Sequence, residues 1–216
     1  MFKLPKPYFL LSSICICLLF SSCHIYKFKH PTLCNRVVIT EKSFPAVISV
    51  GKASKFKASI DVLKNHLTGL IIIKKTDSLT THILFVTEIG MKMFDFEWKN
   101  NEMNAAYVFQ PLNKEALIKS LKVAFKQMLL LDVFNEYAAL LSNSRIKSYY
   151  KLEGEKNRYI IADTTSGITS QQIFNKNKKT RFINYTFDNT KKEYLQIKST
   201  QFGLVKIKIE LNKIDE

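Results

Sequence analysis

Apolar and polar residues alternate through most of this sequence, and this period of two is typical of half-buried β-strands. From Lys55 to Leu63, apolar side chains take every second position: Phe56, Ala58, Ile60 and Val62. Turn residues such as Asn100 and Asn101 separate similar stretches. Short antiparallel strands are therefore predicted at Lys55–Leu63, His66–Lys75, Thr81–Glu88, Lys92–Trp98, Met103–Phe109, Ser148–Leu152, Arg158–Ala162, Gln172–Asn175, Arg181–Phe187, Tyr194–Lys198 and Leu204–Leu211.

The period changes after Pro111, and residues 112–153 contain neither Gly nor Pro. Apolar side chains recur there on one helical stripe and lysines on another: Leu117, Leu121, Ala124, Phe125, Met128 and Leu131 against Lys119, Lys122 and Lys126. The pattern predicts an amphipathic helix of about five turns with Asn113 as its N-cap, and a second helix over Val133–Leu141. The order of strands, helix, strands indicates an α+β fold, with the helix packed on a concave sheet.

Residues 1–22 have the features of a bacterial export signal. Lys3 and Lys6 precede an apolar run, Tyr8–Phe20, which is shorter than the roughly 20 residues that span a bilayer. The run ends in Phe20-Ser21-Ser22-Cys23, which resembles the lipobox of bacterial lipoproteins, although Phe20 stands where Leu is usual. In such proteins the cysteine is acylated and becomes the first mature residue. The alternative is an ordinary signal peptide, in which Cys23 has no such role.

This division predicts a lipoprotein signal peptide at 1–22, a tether at 23–42 and a single domain at 43–216. The tether mixes Lys, His and Pro without sustained periodicity. Cys15 and Cys17 leave with the signal, so with Cys23 acylated, Cys34 has no cysteine to pair with. We therefore expect the fold to depend on its apolar core and not on a disulfide.

The formal net charge of +15 would ordinarily suggest nucleic acid as a partner. The export signal argues against that interpretation, because the polyanions of the envelope are lipid headgroups and phosphorylated saccharides. A basic protein there is attracted to anionic membrane surfaces. The alternative is that the lysines form a solvated face. The cluster Lys176, Lys178, Lys179 and Arg181, for example, surrounds a predicted hairpin turn.

Catalytic, metal and cofactor motifs are not found. The six glycines are too scattered for a phosphate-binding loop, and no GxSxG or HExxH occurs. His66 and His82 lie on separate predicted strands without ligand spacing. Asp95 and Glu97 share one strand face, but it is the polar face, opposite Phe94, Phe96 and Trp98. We therefore predict a binding protein without catalytic residues, metal or cofactor.

The order of elements, and above all the stretch from Leu67 to Leu131, resembles the LolA/LolB family of bacterial lipoprotein carriers. In this stretch a strand pair leads into Thr87-Glu88-Ile89-Gly90, a second strand run and the helix. The resemblance implies a curved, incomplete antiparallel β-barrel of about 11 strands closed by one or two helices inserted mid-chain. The hollow of such a barrel accepts the acyl chains of other lipoproteins.

The resemblance also implies roles for individual residues. Ile89 and Gly90 match the hairpin tip that touches the membrane in the LolB branch, which is itself anchored like a chain acylated at Cys23. The alternative is that Ile89 folds back onto Phe94 or the helix. His24 after Cys23 is not the inner-membrane retention Asp, which favours the periplasmic face of the outer membrane. Implied partners are membrane lipid, acyl chains of lipoproteins or other lipids, and a soluble periplasmic carrier.

Two functions stay open on the sequence, with an envelope hydrolase a distant third. The first is a carrier or receptor that holds acyl chains between sheet and helix and inserts lipoproteins at the outer membrane. The second is an anchored interaction or structural lipoprotein with a filled core. For the first, the expected lining residues are Phe56, Ile60, Phe94, Phe96, Trp98, Tyr107, Leu121, Phe125 and Met128.

Overall fold

The alternating segments form one antiparallel sheet of 13 strands in the computed structural model. The structure describes residues 35–214, apart from 41–42, 63–64, 78, 135, 144–146, 153–157, 164–166, 176–177 and 204. Cys23, Cys34 and the predicted signal peptide lie outside this part of the chain.

The strands are β1 Asn35–Val38, β2 Ala53–Val62, β3 Asn65–Lys75, β4 Thr81–Thr87, β5 Lys92–Lys99, β6 Glu102–Val108, β7 Tyr137–Asn143, β8 Lys147–Leu152, β9 Arg158–Asp163, β10 Gly167–Asn175, β11 Lys178–Asp188, β12 Glu193–Gln201 and β13 Ile207–Lys213. Their order in the sheet is β1-β7-β8-β9-β10-β11-β12-β13-β2-β3-β4-β5-β6. The sheet is open, because β1 and β6 are its two edges.

The predicted helix, here α1, covers Glu115–Met128 and follows a 3-10 turn at Gln110–Leu112. It is the one α-helix of the described residues. Five of the six residues of its predicted apolar stripe are buried, namely Leu117, Leu121, Ala124, Phe125 and Met128, whereas Leu131 lies beyond the end of the helix and is half-buried. Side chains of α1 line one groove together with Met103 of β6, and another groove together with Ile173 of β10 and Gln201 of β12. Since these strands are far apart in the sheet, the sheet must curve around the helix.

The core lies on the concave face and joins α1 to residues from most strands. In β2 the predicted alternation is confirmed, with Phe56, Ala58, Ile60 and Val62 each about 1% exposed. Full burial of a side chain as large as Val62, Ile60 or Phe56 contributes about 1.5–3 kcal/mol to the free energy of folding. No helix in the described part of the chain combines the length and apolar character needed to cross a membrane.

Three predictions about individual segments were wrong. Residues 35–38, assigned to the tether, form β1 by pairing with β7. Val133–Leu141 is not a second helix, because its latter part belongs to β7. The predicted N-cap is also displaced, from Asn113 to Lys114, whose side chain makes no capping hydrogen bond.

The early end of α1 explains the second error. Leu130 adopts a left-handed conformation, with φ of 56°. The Leu131 and Leu130 amides then donate to the Lys126 and Gln127 carbonyls, at 3.1 and 3.3 Å. This is the hydrogen-bond pattern of a Schellman motif, which normally has Gly at the left-handed position. A leucine there gives no stop signal in the sequence, so the helical pattern seemed to continue.

Candidate functional site

A groove of about 620 Å³ lies between α1 and the β5–β6 hairpin, and we call it the rim groove. Its apolar lining comes from Trp98, Met103, Ile118 and Val123. Three lysines of α1 also line it: Lys119, Lys122 and Lys126. Its volume falls within the range of about 300–1,000 Å³ typical of small-molecule sites. Glu115 lines the groove too, and Lys126 is paired with Asp132 at 2.8 Å. An apolar floor beside this excess of cations suits a ligand with an apolar chain and a negative end.

Trp98 also lines a second cavity, of about 430 Å³, beneath the connection from α1 to β7. This cavity is bordered by Leu129, Leu130 and Asp132. Trp98 itself is 5% exposed. The single tryptophan therefore stands between two spaces at the open side of the sheet.

A third space, of about 390 Å³, lies on the other flank of α1, and we call it the arginine groove. Arg181, Ile173, Gln201 and Phe202 come from the sheet side, while Lys119 and Val123 of α1 border both this groove and the rim groove. Val123 is 36% exposed and Phe202 51% exposed. The outer face of α1 is thus a ridge with an open groove on each side.

A buried polar network holds the C-terminal end of α1 against the sheet. The fully buried Arg158 donates from Nη1 to both carboxylate oxygens of Asp132, at 3.0 and 3.1 Å. It also donates to Gln171 Oε1, at 3.2 Å from Nε and 3.1 Å from Nη2. Gln171 Nε2 in turn donates to the Gln127 carbonyl at 2.8 Å. The Tyr185 hydroxyl donates to the Met128 carbonyl at 3.0 Å.

The network therefore occupies two of the carbonyls that the end of a helix leaves without intrahelical partners. It also sets the ionisation of its members. Burial alone raises the pKa of Asp132, but the nearby charges of Arg158 and Lys126 outweigh it and hold that pKa below its ordinary value. Burial raises the pKa of the Tyr185 hydroxyl well above its ordinary value. Tyr185 is therefore a neutral donor, and Asp132 an anion, at neutral pH.

The structure buries eight of the nine expected lining residues, and Trp98 is the one among them that borders the spaces described above. Phe94 stacks on Phe96 with ring centroids 4.5 Å apart. Phe125 of α1 contacts both, at 5.5 and 6.3 Å. These aromatic side chains pack against one another under the helix. The other buried members are Phe56, Ile60, Leu121 and Met128.

The sequence predicts Tyr107 on the inner face together with Trp98, but the structure places it on the outer face. It is 41% exposed and lies opposite Asp95. A register shift between Asp95 and Phe96 in the β5–β6 pair accounts for this. A β-bulge inserts one extra residue, so the side chains beyond it change face. Lys92 Nζ lies 5.1 Å from the centre of the Tyr107 ring.

Ile89 and Gly90 lie at the tip of the β4–β5 turn. Ile89 is 87% exposed, so it does not fold back onto Phe94 or α1. Gly90 has φ of +82°, a left-handed conformation that favours glycine. The Thr87 hydroxyl accepts a hydrogen bond from the Met91 amide at 3.0 Å and fixes the turn. The turn thus holds an apolar side chain away from the domain surface.

The sequence does not predict the buried network or its neighbour Arg181, because the sequence pattern groups Arg181 with the lysines that surround a predicted hairpin turn. Arg181 is 5% exposed. One signal was available, since Arg181, Ile183 and Tyr185 occupy alternate positions of a predicted strand. A cation on the same strand face as inward-pointing apolar residues indicates a buried charge. Asp132 gave no such signal, because it follows the helix in an irregular segment.

The two histidines and the Asp95–Glu97 pair are on the surface. His66 contacts Asp61, His82 lies 3.7 Å from Glu97, and Lys92 lies 2.8 Å from Asp95. Within the described ranges, no group of three His, Cys, Asp or Glu residues is placed to hold a metal ion.

No family model and no curated protein matches this sequence significantly. Among solved structures, a LolA-superfamily protein from Nitrosomonas europaea is similar to this chain. The TM-score is 0.48 at 10% sequence identity, over 76% of this chain and 83% of that one. At this level of similarity, function has to be argued from the grooves themselves.

Proposed function

We propose that this protein is a membrane-anchored lipoprotein that binds acyl chains or similar apolar ligands in the grooves beside α1. The rim groove is the observation that carries the proposal. Apolar side chains of β5, β6 and α1 line it beside the lysines of α1. Burial of apolar surface is non-directional, so such a groove holds a flexible chain with few polar contacts.

The test is photolabelling of the purified full chain, in nonionic detergent, with a photoreactive palmitic acid. We expect labelled peptides from α1 and the β5–β6 hairpin. Val123→Glu should reduce this labelling about tenfold, because it places a carboxylate against the acyl chain in the groove. Mass spectrometry of the labelled peptides measures both results.

Val50→Glu is the matched control, since Val50 is 51% exposed and borders none of the grooves described above. It makes the same change of charge and polarity and should leave the labelling within about twofold. Both variants should unfold close to the wild-type temperature, because surface substitutions usually change stability by less than about 0.5 kcal/mol. Labelling spread evenly over the surface, or equal in both variants, would contradict the proposal.

We propose further that Ile89 enters the membrane interface. Removal of a large aliphatic side chain from water contributes about 1.5–3 kcal/mol, or roughly tenfold or more in partitioning. The test uses Thr32–Glu216, a compact unit that lacks the predicted acylation site Cys23. In this fragment, Ile89→Glu is expected to weaken flotation with phosphatidylglycerol vesicles about tenfold. Leu79→Glu, at the β3–β4 turn, is the control, because Leu79 is 61% exposed. An equal loss in both variants would show general charge repulsion and no specific insertion.

The anchor in this proposal is acylated Cys23, and the location is the periplasmic face of the outer membrane. There the protein would receive acylated cargo from a soluble periplasmic carrier and insert it into the membrane. The sequence motif supports the anchor, and His24 supports the location. The basic charge supports contact with anionic lipid.

One observation favours the second candidate, an anchored interaction or structural lipoprotein of the same fold. The rings of Phe94, Phe96 and Phe125 pack against one another beneath α1 and are buried. Photolabelling separates the two functions. Uptake of the probe into the rim groove supports a carrier, whereas a chain that takes up no probe supports the structural role.

A further inference from the structure

Arg181 is a buried cation with neutral partners. It lies on β11 between Ile173 of β10 and Gln201 of β12. Its guanidinium donates to the side-chain carbonyls of Gln127 and Gln201. Its Nε is buried and has no hydrogen-bond partner. Among the described residues, no carboxylate pairs with it.

The nearby cation Arg158 adds to the uncompensated positive charge around Arg181. Asp132 faces Arg158 and Lys126 instead of Arg181. Burial, with the charge of Arg158 as a smaller cause, lowers the pKa of Arg181 to about 10. Arg181 therefore stays protonated at neutral pH, in a place where its charge is poorly compensated. A buried charge is strongly favoured when it gains an opposite charge within hydrogen-bond distance.

The arginine groove places apolar surface next to this cation. Ile173, Val123 and Phe202 line the same space as Arg181. Val123 and Phe202 are both exposed. A free inorganic anion would leave these side chains in contact with water, whereas the chain of an amphiphile would cover them.

We infer that Arg181 binds the oxyanion head group, carboxylate or phosphate, of an amphiphile whose apolar chain lies along the arginine groove. The inference rests on the proposed function and names the chemical class of its ligand. The head group replaces the neutral Gln201 carbonyl at the guanidinium. An ionic hydrogen bond to a planar guanidinium is about twice as strong as a neutral one, and a carboxylate or phosphate matches its fork geometry.

The test compares two photoreactive probes that share one chain, palmitic acid and hexadecanol, on the purified full chain. In wild type, the acid should label peptides around Arg181 with an affinity about tenfold or more above that of the alcohol. Arg181→Met should abolish the difference, with the affinity for the acid falling about tenfold and that for the alcohol unchanged. Retained binding of the alcohol shows that the variant is folded.

Lys179→Met is the matched control for net charge. Lys179 lies two positions away on β11, with Nζ 4.7 Å from the centre of the Phe182 ring. This variant should keep the affinity for the acid within about twofold, since it leaves the guanidinium in place. Arg181→Lys should restore part of the preference for the acid, because it keeps the charge and loses the planar fork.

A measurement on wild type keeps the inference testable if Arg181→Met does not fold. Inorganic phosphate should displace the acid and leave the alcohol bound. Equal affinity for acid and alcohol in wild type would overturn the role of Arg181 while the proposed function stands. If inorganic phosphate binds at Arg181 but the acid labels no peptide there, the ligand is an inorganic anion and the proposal of an amphiphile is wrong. If neither probe labels either groove, the proposed function fails and this inference fails with it.

Discussion

Replacing Asp132 by Asn is expected to lower the free energy of unfolding by about 3–5 kcal/mol. The substitution leaves the fully buried Arg158 without the carboxylate that accepts two of its hydrogen bonds. Removing one charge of a buried, hydrogen-bonded ion pair is strongly destabilising, because the desolvation cost of the remaining cation is then less well compensated. Urea unfolding at neutral pH measures the effect. Asp188→Asn is the control, because Asp188 is only partly buried and accepts hydrogen bonds from the Thr190 and Lys191 amides that an Asn oxygen can also accept.

The effect should depend on pH in a definite direction. Folding lowers the pKa of Asp132 from its ordinary value of 3.8. Its ionic contribution to stability is therefore complete above that value and is lost as pH falls through the folded pKa. The difference between wild type and Asp132→Asn should thus be constant near neutrality and shrink below about pH 3.8. A difference that does not change with pH would show that lost packing, and not lost charge, causes the destabilisation.

Replacing Cys23 by Ser is expected to abolish acylation completely. A lipoprotein is modified at a single thiol, so a serine at that position has no acceptor for the lipid. Each buried methylene contributes about 0.8 kcal/mol to membrane affinity, so several acyl chains together give an effectively permanent anchor. The measurement is incorporation of labelled palmitate by the full chain in a bacterium that processes lipoproteins. Wild type should be labelled and Cys23→Ser should not.

Cys34→Ser is the matched control for this result, because it removes the other thiol that the predicted mature chain retains. It should be labelled as strongly as wild type. Label that persists in Cys23→Ser and disappears in Cys34→Ser would move the anchor to residue 34. Wild type without label would leave residues 1–22 as an ordinary signal peptide and remove the membrane anchor from the proposed function.

The periodic part of the fold could be predicted from the sequence. Strand β2 buries every second side chain, and α1 buries the stripe that begins at Leu117. In both cases the spacing of apolar residues alone decides which side faces the core. Local pattern is sufficient there because the element is long enough to show its period.

Pairing between distant segments could not be predicted in the same way. Strand β1 has four residues and exists because β7 lies beside it. Strand β7 is rich in Ala and Leu, which are good helix formers, and tertiary pairing with β1 and β8 overrides that preference. The β1–β7 pair joins segments about 100 residues apart, so a single sequence does not contain a short-range signal for it.

The candidate site was only partly predictable for a different reason. Phe96 and Trp98 are on the same face of β5, yet Phe96 packs against other rings whereas Trp98 borders two open spaces. The apolar pattern predicts which face of a strand points inward. It does not predict whether that face packs against other side chains or borders an open groove. The turn at Ile89 and Gly90 could be predicted because turn chemistry is local, but the sequence left open whether Ile89 folds back, and only the structure shows that it is exposed.

Hydrogen bonds to the C-terminal end of α1 limit how the helix could move relative to the sheet. Its C-terminal end is tied to Gln171 and Tyr185 through backbone carbonyls. Its N-terminal end has no side-chain cap and is held by the apolar burial of residues such as Leu112, Leu117 and Leu121. A lifting helix would therefore hinge about Met128 and swing open at Glu115. Such a motion would widen the mouth of the rim groove while the strands behind it stay in register.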